Sequence, residues 1–184
     1  TLTVSVIYPT LLLKDATGTT VKQTVYPKYG TTALYNGPKS TTRLYLTSPS
    51  GSTTFLGWYD NEGRRVIASN STAAASVSGY TDANGSWAQV AAEKVLYERW
   101  ELTLPIPSYE NEIIYKSKEN FDLFSTKAVG GSGKFTYSLV NAASCFSISP
   151  TTATTGNVTV KFSSVTAAGD YKVTLKATDA YTGQ

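Results

Sequence analysis

Phe55-Leu56-Gly57-Trp58-Tyr59 and Arg65-Val66-Ile67-Ala68 flank Asp60-Asn61-Glu62-Gly63. This stretch constrains the fold most. Strand-length apolar runs separated by a Gly-containing turn specify a β-hairpin, since Gly63 can take the positive φ that the turn needs. A second strand signal lies at Val95-Leu96-Tyr97-Glu98-Arg99-Trp100-Glu101. Leu96, Glu98 and Trp100 share one face of such a strand, and a carboxylate between two large apolar residues argues against uniform burial there.

The rest of the chain has the same texture. Lys14-Asp15-Ala16-Thr17-Gly18 is a turn signal, and Val21 to Tyr26 reads as a returning strand. Leu2, Val4, Val6 and Tyr8 alternate with other residues and predict a strand at the start. Thr42 to Leu46 is a short strand candidate, and Asn70 to Ser78 is ambiguous between a helical turn and coil. Asn84-Gly85 marks a turn between Tyr80 and Trp87. Leu104-Pro105-Ile106-Pro107 predicts an extended, stiff connector. Beyond it, Gly130 to Leu139, Phe146 to Ile148, Val158 to Phe162 and Tyr171 to Ala177 alternate at the spacing of a β-sandwich. The expected organisation is therefore all-β to β-rich. One domain spans 1–102, a Pro-containing linker 103–108, and a second domain 109–184.

Composition excludes several function classes. Of 184 residues, 41% are hydrophobic and 16% charged, which suits a globular chain. The net charge is only +3, with no dense basic run, so nucleic acid is not an expected partner. There is no His, which removes His-containing hydrolase triads and the commonest zinc ligand. Cys145 is the single cysteine, so no intramolecular disulfide forms. It reads as a small packing residue. No window approaches the ~18 apolar residues of a membrane span. The chain opens directly in a strand pattern, and it reads as a fragment of a longer protein.

The Phe55–Ile67 and Val95–Glu101 signals, in that order, resemble the Listeria–Bacteroides repeat, also called the internalin B-repeat. Tyr29-Gly30-Thr31-Thr32 resembles a segment that often precedes the second half of that repeat. Glu98 departs from it by taking a small residue's place. The resemblance implies a β-grasp-like domain in which Phe55, Gly57, Trp58, Leu96, Tyr97 and Trp100 are structural. Trp58 and Trp100 would pack between the sheet and its covering loops. The later segments "GGSGKFTYSLV", "FSISPTT", "NVTVKF" and "AAGDYKVTLKATDA" resemble bacterial Ig-like modules related to cadherin repeats. That second resemblance implies an Ig-like β-sandwich whose last strand is missing from this chain.

Together the two resemblances imply a non-catalytic piece of a multi-domain bacterial surface protein. It would be extracellular, at the cell surface or cell wall, and would act as spacer, display or adhesion module without a cofactor. Partners would be neighbouring domains of the parent protein, a host protein or a glycan, and a strand-mediated dimer is a further expectation. The alternative is a binding module that uses exposed aromatics, with Trp87, Tyr80 and Tyr59 as the candidates and Trp87 the best of them. A third reading is a carboxylate-dependent glycan hydrolase built on Glu110 and Glu112. Asp82, Asn84, Asp122, Asp170 and Asp179 are the candidate calcium ligands, but none lies in an EF-hand-type loop, so no metal site is assigned. Lys116 or Lys118 could enter a Lys–Asn isopeptide bond, although the natural Asn partner would lie in the missing strand. Sequons at Asn70, Asn84 and Asn157 read as chance matches in a chain rich in hydroxyl residues.

Overall fold

The computed structural model describes residues 8–51, 53–89, 93–106, 120–163, 165 and 167–184. The chain divides into two compact units, Thr1–Glu101 and Leu102–Gln184. All named elements are strands, as the alternating patterns predict. Among the described residues no helix is long and apolar enough to cross a membrane.

The first unit contains β1 (Leu11–Lys14), β2 (Val21–Pro27), β3 (Leu34–Tyr35), β4 (Arg43–Leu44), β5 (Phe55–Tyr59), β6 (Arg65–Ala68) and β7 (Lys94–Trp100). They form one seven-stranded sheet in the order β4-β3-β2-β1-β7-β5-β6. The β1–β2 hairpin is antiparallel across the turn read at Asp15–Gly18. Asp15 shapes that turn: its Oδ1 accepts from the Thr19 amide at 3.0 Å. At the sheet's centre β1 runs parallel to β7, with Leu13 opposite Leu96. The predicted strand from Leu2 begins outside the described residues. The ambiguous 70–78 stretch is not helical, and its Ala73 forms a bridge with Ile67.

Leu11, Leu13, Val25, Leu34, Val66, Ile67 and Leu96 build one core against this sheet, together with all three tryptophans, and in β6 the consecutive Val66 and Ile67 are both buried. Period-2 alternation decides which side chains enter. In β7, Leu96, Glu98 and Trp100 point inward and are buried, while Val95, Tyr97 and Arg99 are half-buried on the other side. The face is therefore buried throughout despite Glu98, which corrects the expectation of uneven burial. The carboxylate is tolerated because it is partnered. Lys22 Nζ lies 3.2 Å from Oε2, and the Ala16 amide donates to Oε1 at 3.3 Å. Lys22 is Oε2's only partner among the described residues, and the contact is an ion pair rather than an aligned hydrogen bond.

This arrangement predicts an asymmetry between the two partners. Lys22→Ala leaves a buried carboxylate with one amide donor, so it should cost about 1–2 kcal/mol. Glu98→Leu removes the buried charge and frees a solvent-reaching lysine, so it should cost less. Urea unfolding of both variants checks the order, and a larger loss for Glu98→Leu would contradict it.

The second unit contains β8 (Phe121–Thr126), β9 (Phe135–Val140), β10 (Phe146–Ser149), β11 (Val158–Phe162) and β12 (Thr174–Asp179). One sheet has the order β10-β11-β8 and the other pairs β12 with β9. Phe135, Tyr137 and Leu175 from the two-stranded sheet share a core with Val158 and Val160 from the three-stranded one, which is a sandwich-like arrangement. β12 begins at Thr174, three residues later than the alternation from Tyr171 suggested. β8 is a strand that the alternation in the sequence does not reveal. A register shift opposite Val160/Lys161 breaks its pattern, so Leu123 and Phe124 are both half-buried.

The expected linker is also corrected in part. Thr103 exchanges two backbone hydrogen bonds with Val129, at 3.0 and 2.8 Å. Leu102 and Leu104, on alternate positions, pack against the second unit's core. The Thr126 hydroxyl donates to the Pro105 carbonyl. Residues 102–105 are thus held by this unit, because two apolar side chains gain more from burial than from staying in water. Pro107 and Ser108 lie outside the described residues.

Candidate functional site

The residues proposed as structural lie on two neighbouring strands. β5 and β7 are adjacent and antiparallel, with Phe55 opposite Trp100, Trp58 opposite Glu98, and Tyr59 opposite Tyr97. Phe55 meets Trp58 and Trp100 edge-on, at ring-centroid distances of 5.5 and 5.3 Å. Gly57 lies between them with φ +128°, where a Cβ would run into the Ile67 carbonyl oxygen.

The residues proposed as a binding platform do not form one. Trp87 is only 1% exposed and Tyr80 5%, and both belong to the core. Exposure was expected at Trp87 because the B-repeat resemblance gave it no structural role. Its side chain joins the first unit's core, and its backbone pairs with the Tyr29–Thr32 segment. The Trp87 amide donates to the Thr31 carbonyl at 2.8 Å, and the Gly30 amide donates to the Trp87 carbonyl at 3.0 Å. The indole N–H finds no acceptor among the described residues. Tyr59 is half-buried on the outward side, with the Arg99 guanidinium 4.9 Å from its ring centre.

The Lys94 ammonium lies 4.2 Å from the Tyr80 ring centre and donates to the Gly79 carbonyl at 2.7 Å. Burial raises the Tyr80 pKa above 10.0, and the Asp60 carboxylate adds to the effect. A folded-state pKa above the unfolded value leaves stability unchanged below about pH 10 and lowers it as pH rises through the folded value. Tyr80→Phe should therefore flatten the alkaline stability loss. Urea midpoints measured on either side of pH 10 check this, and equal alkaline losses in both proteins would contradict it.

The buried acids serve local structure. Asp60 is 1% exposed and accepts from the Glu62 and Arg64 amides, at 3.0 and 2.8 Å. It also pairs with the Arg64 guanidinium through Nε and a terminal nitrogen, each at 2.7 Å. Asp179 accepts from the Ser132, Tyr181 and Thr182 amides. Asp82 accepts from the Asn84 and Ser86 amides at 2.8 and 2.9 Å, which is the turn chemistry expected of that pair. Asp170 is exposed, and Asp122 faces Lys161 at 3.7 Å. Among the described residues no three His, Cys, Asp or Glu side chains gather as metal ligands would. Cys145 is buried at 6% exposure, in keeping with a packing role. Glu110, Glu112, Lys116 and Lys118 lie outside the described residues.

A depression of about 350 Å³ lies over β8, β10 and β11, lined by Asn120, Phe121, Asp122, Ser147, Lys161, Phe162 and Ser163. Among the described residues Asp122 is the sole carboxylate in that lining, and Lys161 is its ion-pair partner.

A different aromatic surface stands on the outer face of β2, β3 and β4. Tyr26 is directly opposite Tyr35, and Tyr35 directly opposite Arg43. Their neighbours Pro27 and Leu34 are buried on the opposite face, and Leu44 packs against the core there. Tyr45 comes directly after Leu44 and is 71% exposed, with the Arg43 guanidinium 5.2 Å from its ring centre. Sequence reasoning missed this group, although one signal was available. Between Asp15 and Asp60 the chain has no acid, yet it carries Lys22, Lys28, Lys39 and Arg43.

Comparison with protein-family models, curated proteins and solved structures finds no match to this chain.

Proposed function

We propose that the chain is a non-catalytic display or spacer module of a multi-domain bacterial cell-surface protein. In this reading a B-repeat-like, β-grasp-like unit precedes an Ig-like one. The observation that carries it is the pairing of β5 with β7. The two segments that resemble the B-repeat, some 40 residues apart in sequence, lie side by side, and their Trp58 and Trp100 close one core. The parallel β1–β7 pairing at the sheet's centre supports the β-grasp-like description. The sandwich-like second unit supports the Ig-like one.

The physical logic is that of a spacer. The acids buried among the described residues hold turns and strands, and the aromatic signature is spent on packing. Compact β units in series hold their neighbouring domains apart. An antibody raised against this chain tests the location. It should label intact cells that make the parent protein. Labelling that appears only after lysis would overturn the proposal.

A further inference from the structure

We propose that the outer face of β2, β3 and β4 binds an acidic polysaccharide, with Tyr26, Tyr35, Arg43 and Tyr45 as the contact surface. This names a partner for the surface module proposed above and rests on that reading.

The side chains form a continuous group. Directly opposed residues on antiparallel strands lie about 5 Å apart, so Tyr26, Tyr35 and Arg43 make one row across three strands. Tyr45 extends the row along β4's direction, and Arg43 lies against its ring. Lys28 stands two residues beyond Tyr26 and is exposed. These positions are outward because the intervening Pro27, Leu34 and Leu44 turn to the core. Nothing about folding demands a 71%-exposed tyrosine beside an arginine at a sheet edge.

Charge selects the partner. Lys22 is neutralised by Glu98, but Lys28, Lys39 and Arg43 have no ion pair among the described residues. No acid in the sequence from Ala16 to Tyr59 offsets them. The stretch itself carries only cations, although the whole chain is only +3. A guanidinium forks onto carboxylate or sulfate oxygens. Tyrosine rings offer a flat apolar face with a polar tip, which suits sugar rings whose faces are apolar and whose rims are hydroxylated. The cations are few and spaced among aromatics, unlike the dense basic run expected for nucleic acid.

The test titrates the whole chain with heparin, polygalacturonate, dextran and duplex DNA. Heparin carries sulfate and carboxylate groups, polygalacturonate carboxylate alone, and dextran neither. Binding to one or both acidic polysaccharides, weakening as salt rises, is expected, with dextran bound far more weakly. Arg43→Glu should weaken binding by about tenfold or more. Tyr45→Ala, which removes the ring and keeps the charge, should weaken it about fivefold. Both side chains are exposed, so an unchanged melting curve verifies folding. Lys176→Glu, an exposed charge reversal in the second unit, should change binding little. The proposal is overturned by absent binding, by dextran or DNA binding as tightly as the acidic polysaccharides, or by equal effects of Arg43→Glu and Lys176→Glu.

Discussion

Trp87→Ala is expected to destabilise the Thr1–Glu101 unit by about 3–5 kcal/mol, the usual cost of emptying a large aromatic site in a core. Trp87 is among the largest fully buried side chains, at 1% exposure. Its removal leaves a cavity between the sheet and the segments that cover it. It also loosens the Gly30 and Thr31 backbone contacts that depend on where Trp87 sits. Domains of this size hold only about 5–15 kcal/mol in total, so much of the unit's stability should go. Urea unfolding tracked by far-UV circular dichroism measures the loss. A loss below about 1 kcal/mol would mean that the side chain is on the surface. Trp87→Phe, which refills part of the space, should recover a substantial share.

Gly57→Ala should be comparably damaging for a different reason. Gly57 combines φ +128°, a conformation that L side chains rarely adopt, with backbone packed where a Cβ would stand. The obstruction is the Ile67 carbonyl oxygen of the adjacent strand, and a backbone atom cannot swing aside as a side chain can. The β5–β6 pairing must open, or β5 must shift away from β7. Either response disturbs the contacts of Trp58, and the expected cost is about 3 kcal/mol or more. Gly30→Ala is the control. Gly30 also has positive φ, +71°, but nothing lies within 4 Å of its added Cβ. It should cost only about 1 kcal/mol, from backbone strain alone. Thermal melts of the two variants give the comparison, and equal losses would remove the steric argument.

Local patterns were legible in the sequence, whereas side-chain environments set by distant partners were not. The hairpin at Phe55–Ala68 and the strand at Lys94–Trp100 could be read because period-2 alternation and a Gly turn act within a few residues. The parallel contact of β1 with β7 joins segments about 80 residues apart, and no local signal marks it. Trp87 looked free because the core that takes its side chain is assembled from strands distant in sequence. Glu98 looked disruptive because Lys22, its partner, is on a strand far away in sequence. β8 escaped notice because its irregular register hides the alternation. The Tyr26–Tyr35–Arg43 row exists only once β2, β3 and β4 are aligned. The acid-free run from Ala16 to Tyr59 was visible beforehand, but charge spacing alone does not indicate a shared face.

The central claim is that the aromatic signature of the first unit builds a core and leaves no tryptophan for a ligand. Trp58, Trp87 and Trp100 are the chain's only tryptophans, and their exposures are 4%, 1% and 7%. Intrinsic fluorescence with iodide as quencher therefore reads the claim directly. The account predicts blue-shifted emission that iodide barely quenches, becoming red-shifted and quenchable in one step as the first unit unfolds. Native emission that is already red-shifted and strongly quenched, with loss of that component in Trp87→Phe, would place Trp87 at the surface and contradict the account.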